Sequence, residues 1–104
     1  MEVFRADFPE GGEQLRSLRT FAANGATLEV GTGCFQAGTE VPEHGQSVHS
    51  RREITLILEG DLSVTCGGET KRLGGGDIAT IPAGKPHKTV VHRDTRLLWL
   101  FLGE

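Results

Sequence analysis

Residues 38–60, GTEVPEHGQSVHSRREITLILEG, carry a polar, histidine-rich loop into an apolar run that ends at Gly60. Side chains of an extended chain alternate, so from Glu53 to Leu58 one face holds Glu53, Thr55 and Ile57 and the other Ile54, Leu56 and Leu58. Both faces are largely apolar, which predicts a strand covered on both sides. A carboxylate on such a face needs a partner, because an unpaired buried charge is costly. His49, four residues before Glu53, falls on the same face of an extended chain. His44, His49 and Glu53 lie within ten residues. They offer imidazole nitrogen and carboxylate oxygen, the ligand mixture that suits divalent iron, manganese, nickel, copper or zinc. The competing readings are an ion pair of Glu53 with Arg51 or Arg52 and, for His44, a solvated loop side chain.

The chain on either side reads as short strands punctuated by glycine. Ahead of the loop, Ala26 to Val30 and Gly33 to Ala37 are strand candidates with a bend at Gly31 and Gly33, entered from the Asn24-Gly25 turn. After it, Glu59-Gly60-Asp61 reads as a hairpin turn into Leu62 to Cys66. Gly67-Gly68 leads into Glu69 to Leu73, and Gly74-Gly75-Gly76-Asp77 into Ile78 to Ile81. Lys88 to His92 and Thr95 to Leu102 complete the set. Evenly spaced short strands with glycine turns predict an all-β sandwich or barrel. Residues 1 to 25 read as an N-terminal arm or edge strand, wrapping either the barrel or a neighbouring subunit. The run Leu97-Leu98-Trp99-Leu100-Phe101-Leu102 has no polar residue. It is therefore expected to be buried on both sides, against the core and against either a second subunit or the arm.

A second glycine- and proline-marked stretch, Gly76 to His87, brings a further imidazole to the start of a strand. Its spacing is Gly76, five residues, Pro82, one residue, Gly84, two residues and His87, which resembles the second of the two motifs of the cupin superfamily; Val91 stands where that motif closes with asparagine. The first motif is matched from both ends. Forwards, Gly38 is followed by five residues and His44; backwards, Gly60 is preceded by six residues, Glu53, three residues and His49. In the family a single residue separates the two histidines, whereas here Gly45, Gln46, Ser47 and Val48 do, so Ser47 occupies the place that counting back from Glu53 gives the first histidine. The resemblance covers residues 28–102. It implies a double-stranded β-helix, or jelly-roll, barrel within one domain spanning 1–104. It also implies a divalent transition metal held by His49, Glu53 and His87, with His44 either reaching it through a bulged loop or leaving three protein ligands. Homodimerisation through sheet faces or edges follows from the same resemblance.

Composition bounds the partners. The 104 residues are 37% hydrophobic and 24% charged with net charge −3, a globular balance in which no basic run exceeds Arg51-Arg52. Nucleic acid is not an expected partner. The N-terminus lacks a signal-peptide layout and no apolar run reaches the ~20 residues of a membrane span, so the expected location is cytoplasmic, with no membrane partner. Cys34 and Cys66 are read as buried, reduced thiols without a catalytic role. His92 alternates away from the His87, Thr89 and Val91 face and is expected at the surface.

Arg51, Arg52 and Lys85 flank the ligand stretches, and at a barrel mouth they would favour a small carboxylate-bearing molecule. Two functions follow. One is a metal-dependent enzyme of dioxygenase, isomerase or lyase type acting on a small molecule. The other is a non-catalytic small-molecule-binding or sensing module in which the interrupted first motif reflects a lost ligand.

Overall fold

The structure, a computed structural model, describes residues 1–103; Glu104, the last residue of the expected 1–104 domain, lies outside them. Seven strands follow one another: β1 (Leu15–Ala23), β2 (Ala26–Phe35), β3 (Glu40–Val41), β4 (Arg52–Cys66), β5 (Glu69–Gly74), β6 (Ile78–Ile81) and β7 (His87–Gly103). All pairings are antiparallel. Among the described residues there is no helix, and so none that could cross a membrane.

The long pair β4–β7 runs from Arg52 opposite Leu102 to Cys66 opposite His87. Its two halves take different neighbours. The Arg52 end is flanked by β6 on one side and by β2 and β1 on the other; the Cys66 end is flanked by β5 and β3. One bent double strand thus belongs to two sheets that face each other, which makes the all-β jelly-roll barrel.

One expected turn is a bend within a strand. Glu59-Gly60-Asp61 does not reverse the chain; β4 continues through it, with its register against β7 shifting between Ile57 and Glu59, Glu59 and Asp61, and Asp61 and Leu62. These shifts are bulges, which bend a strand while keeping it paired. Gly60 has φ +137°, and a side chain there would overlap Thr95 of β7. Thr95 is buried; its hydroxyl donates to the Arg93 carbonyl (2.8 Å) and accepts from the Asp61 amide (3.3 Å), which seals the bend. For the same reason the expected strands 88–92 and 95–102 are one; the expected strands 26–30 and 33–37 also join, through Gly31 and without a register shift against β7, into a β2 that ends at Phe35. The turns at Asn24-Gly25, Gly67-Gly68 and Gly74–Asp77 do connect separate strands.

The core between the sheets is Phe35, Ile57, Leu62, Val91, Leu97 and Trp99. Trp99 reaches past Gly31, where a Cβ would overlap its indole, and donates Nε1–H to the Thr32 carbonyl (2.8 Å). The arm ahead of β1 lies on the outer face of β2. The Thr32 hydroxyl donates to the Asp7 carbonyl (2.6 Å), the Cys34 amide to the Gln14 carbonyl (2.9 Å), and the Arg96 guanidinium sits 3.9 Å from the Phe8 ring centre. Cys34 and Cys66 are free and half-buried, and His92 is exposed with a ring nitrogen 2.7 Å from the Ser63 hydroxyl.

Because Gly60 combines a left-handed backbone with contact against Thr95, Gly60→Ala is expected to destabilise the fold by about 2–4 kcal/mol. Thermal unfolding should show a Tm lower by about 10–25 °C for a chain of this size.

Candidate metal centre

The two motif-bearing stretches are bonded to each other through the backbone. Ser47 and His87 exchange amide and carbonyl bonds (2.8 and 3.0 Å), and the Gly84 amide donates to the His49 carbonyl (2.7 Å). Glu53 lies opposite Phe101 in one sheet and His87 opposite Cys66 in the other, so the two side chains meet across the barrel rather than along a strand. The result is a compact group. His49 Nε2 is 3.4 Å and His87 Nε2 3.6 Å from Glu53 Oε1, and one ligand atom from each residue falls within 4.8 Å of the others.

The surrounding contacts orient this group. His87 is buried, and its Nδ1 lies 3.1 Å from the Lys85 carbonyl. A carbonyl only accepts, so Nδ1 carries a proton, and Nε2 is the nitrogen turned towards Glu53. Fixing the tautomer through the distal nitrogen is the arrangement that metal-binding histidines use. The Thr55 hydroxyl donates to Glu53 Oε2 (3.2 Å), which leaves Oε1 for the histidines. His49 packs its ring 4.8 Å from Phe101 and 5.1 Å from His87. The arginines that could have neutralised Glu53 are engaged elsewhere. Arg51 bonds Glu29 (3.0 Å) and lies 4.9 Å over Phe101, and Arg52 bonds the Thr80 hydroxyl (2.9 Å). Glu29 itself is held below the usual carboxylate range, chiefly by the Ser17 hydroxyl and then by Arg51.

His44 is not brought into this group; it is exposed. The pairing explains why. A straight ladder with Val41 opposite Thr89 would set residue 43 opposite His87, but Ser47 stands there, so four residues are looped out and carry His44 away. Ser47 instead lines the cavity beside His49. Counting back from Glu53 was the signal that could find it.

That cavity is about 240 Å³ and runs from the three residues into the barrel. Arg51, Arg52 and Lys85, expected at its mouth, are absent from its wall. Arg51 and Arg52 turn to the partners just named, and Lys85 extends beside Gly67 in the groove next to β5 and β6.

Comparison with known proteins places the fold. An uncharacterized protein of Streptomyces coelicolor is 30% identical over 97% of this chain and 95% of its own. The DMSP lyase DddQ of Ruegeria pomeroyi superposes with TM-score 0.68 at 26% identity, over 88% of this chain and 48% of that one. Salicylate 1,2-dioxygenase of Pseudoaminobacter salicylatoxidans, in complex with gentisate, superposes with TM-score 0.64 at 23% identity, over 71% of this chain and 20% of that one. The family model of the cupin domain matches residues 24–103, and the chain belongs to the cupin family.

Proposed function

We propose that the chain is a metal-dependent enzyme of dioxygenase, isomerase or lyase type acting on a small molecule, with His49, Glu53 and His87 as the protein ligands. One observation carries this reading: a half-buried carboxylate faces two imidazoles and, among the described residues, has no lysine or arginine partner, in the wall of an apolar cavity. The donor set fits a divalent transition ion, and two imidazoles with one carboxylate is the set associated with Fe(II) chemistry at open positions. Bound there, the ion supplies Lewis acidity or, as Fe(II), redox chemistry. The chain's own residues do the rest. The Lys85 carbonyl holds the His87 tautomer, Thr55 orients Glu53, and the barrel wall keeps water from the substrate. His44, outside the group, is assigned no ligand role. The likeness to a lyase and a dioxygenase is compatible with either chemistry, since the fold hosts both. The interrupted first motif favours the non-catalytic module as a second reading, with Ser47 marking the lost ligand.

We also propose a cytoplasmic homodimer. Cross-strand pairing puts Val30, Leu100 and Ile54 in one row on the outer sheet face, with Leu28 and Leu102 below and Leu98, Leu56 and Ile78 above. All are half-exposed or exposed, Ile78 at 66% and Leu102 at 42%. The arm covers the end of this face near Thr32 and, through Glu2 and Phe4 against Arg19 and Phe21, its β1 border. A contiguous apolar patch of this kind marks an interaction surface, and a symmetric interface with a second copy covers it.

Elemental analysis of protein purified without chelator should find near-stoichiometric iron, manganese, nickel, copper or zinc. The metal should be lost in His49→Ala, Glu53→Ala and His87→Ala and kept in His44→Ala. Failure to bind any of these after reconstitution with Fe(II) or Mn(II) overturns the metal reading. If metal binds, loss of turnover in a folded His87→Ala protein supports the enzyme, and undiminished small-molecule binding in it supports the module. Ser47→His, which places a third imidazole on the same face, should slow removal of the metal by EDTA. For the dimer, light scattering after size exclusion should give twice 11.2 kDa for the native chain and a monomer for Leu100→Glu.

A further inference from the structure

The wall of the cavity changes character with distance from the three site residues. Along β4 the inward face runs Glu53, Thr55, Ile57, and along β7 it runs His87, Thr89, Val91, so each strand passes from charged or imidazole to hydroxyl to hydrocarbon within four residues. Alternate residues of a strand are ~6.6 Å apart, so Ile57 lies roughly 13 Å along β4 from Glu53, while Phe101 and Ile81, opposite Glu53, bring hydrocarbon up to the site itself. The Phe101, Trp99, Leu97 face of β7 is apolar throughout. Few polar groups are left for a ligand. The Thr55 hydroxyl is committed to Glu53, and the Trp99 N–H to the Thr32 carbonyl. Among the described residues the wall contains no lysine, arginine, asparagine, glutamine or tyrosine, and the hydroxyls still free for a ligand, those of Ser47 and Thr89, lie next to or two residues along from His87 or its partner. The space, about 240 Å³, holds about eight water molecules at ~30 Å³ each, below the usual range of drug-sized sites.

We infer that this cavity takes a compact, mostly hydrocarbon molecule with a single oxygen-bearing head group, seated head-first against His49, Glu53 and His87. The position of the head rests on the metal-centre reading; the hydrocarbon body rests on the wall alone. A second carboxylate at the far end of the ligand would be buried among Ile57, Leu62 and Leu97 with no cation, and ring hydroxyls would lose water without gaining partners. Dianions and sugars are therefore excluded, although their head groups would suit the ion equally well. This narrows the carboxylate-bearing class to monoacids with an apolar body.

The test uses matched rings. In Co(II)-loaded protein, cyclohexanecarboxylate should alter the visible Co(II) spectrum saturably, and trans-1,4-cyclohexanedicarboxylate and gluconate should bind at least about a hundredfold more weakly. Equal or tighter binding of the diacid or gluconate overturns the substrate class and leaves the metal centre standing. If no Co(II) is taken up, the metal reading falls instead, and Trp99, the sole tryptophan and part of the wall, still reports on the cavity. Cyclohexanol should then shift its fluorescence saturably in metal-free protein, while myo-inositol, the same ring with six hydroxyls, should not. No response to cyclohexanol, or an equal response to both, overturns the inference.

Discussion

The pairing of β4 with β7 is the constraint on which the rest of the molecule depends. Two strands of 15 and 17 residues stay hydrogen-bonded from Arg52 and Leu102 to Cys66 and His87. A flat ribbon of that length would leave both faces in water, and the apolar alternation on each face forbids this. Bulging at Ile57 to Leu62 folds the ribbon so that its halves face each other and bury Ile57, Leu62, Val91 and Leu97 between them. Every other strand adds to one half or the other. Glu53 and His87 face each other only because of that fold, since they lie near opposite ends of the ladder.

This origin of the site explains what was legible beforehand. The face of Glu53, Thr55 and Ile57 follows from alternation alone, and the structure puts all three on the cavity wall. The barrel was legible because short apolar runs recur with glycine between them. The number of strands was not. Glu59-Gly60-Asp61 and Gly67-Gly68 look alike as sequence, yet one is a bend under tertiary pairing and the other a reversal. What separates them is the partner: β7 is long enough to pair past Gly60, and Thr95 occupies the space a side chain there would need. That information lies 35 residues away in the chain.

The first motif shows the same limit at the site. Counting forwards from Gly38 reaches His44 and counting backwards from Glu53 reaches Ser47, and spacing alone cannot decide between them. The ladder decides, because the bond pair between Ser47 and His87 fixes where the strand resumes after the looped-out residues. The basic residues illustrate a different failure. Arg51 shares the parity of Glu53 but reaches along its row to Glu29 and over Phe101, while Arg52 alternates away to the Thr80 hydroxyl, so each has an oxygen partner within 3.0 Å other than Glu53. Neither proximity nor parity along a strand decides which partner a long cationic side chain takes, because Glu29 competes with Glu53 for Arg51.

The same parity ties the site to the outer surface. β4 presents Glu53, Thr55 and Ile57 inwards and Ile54, Leu56 and Leu58 outwards, so one backbone carries both the carboxylate and the apolar face. A ligand atom must be held to within a few tenths of an ångström for metal binding, and the inner contacts of Glu53 are a single hydroxyl and two imidazoles. Its rigidity must come largely from the strand. Covering Ile54 and Leu56 with another apolar surface would suppress the fraying of β4 against β6, whose four pairs with Glu53 to Leu56 are the least extensive support the strand has at this end. The proposed dimer face and the proposed metal site therefore share one element, β4, whose alternate residues serve each.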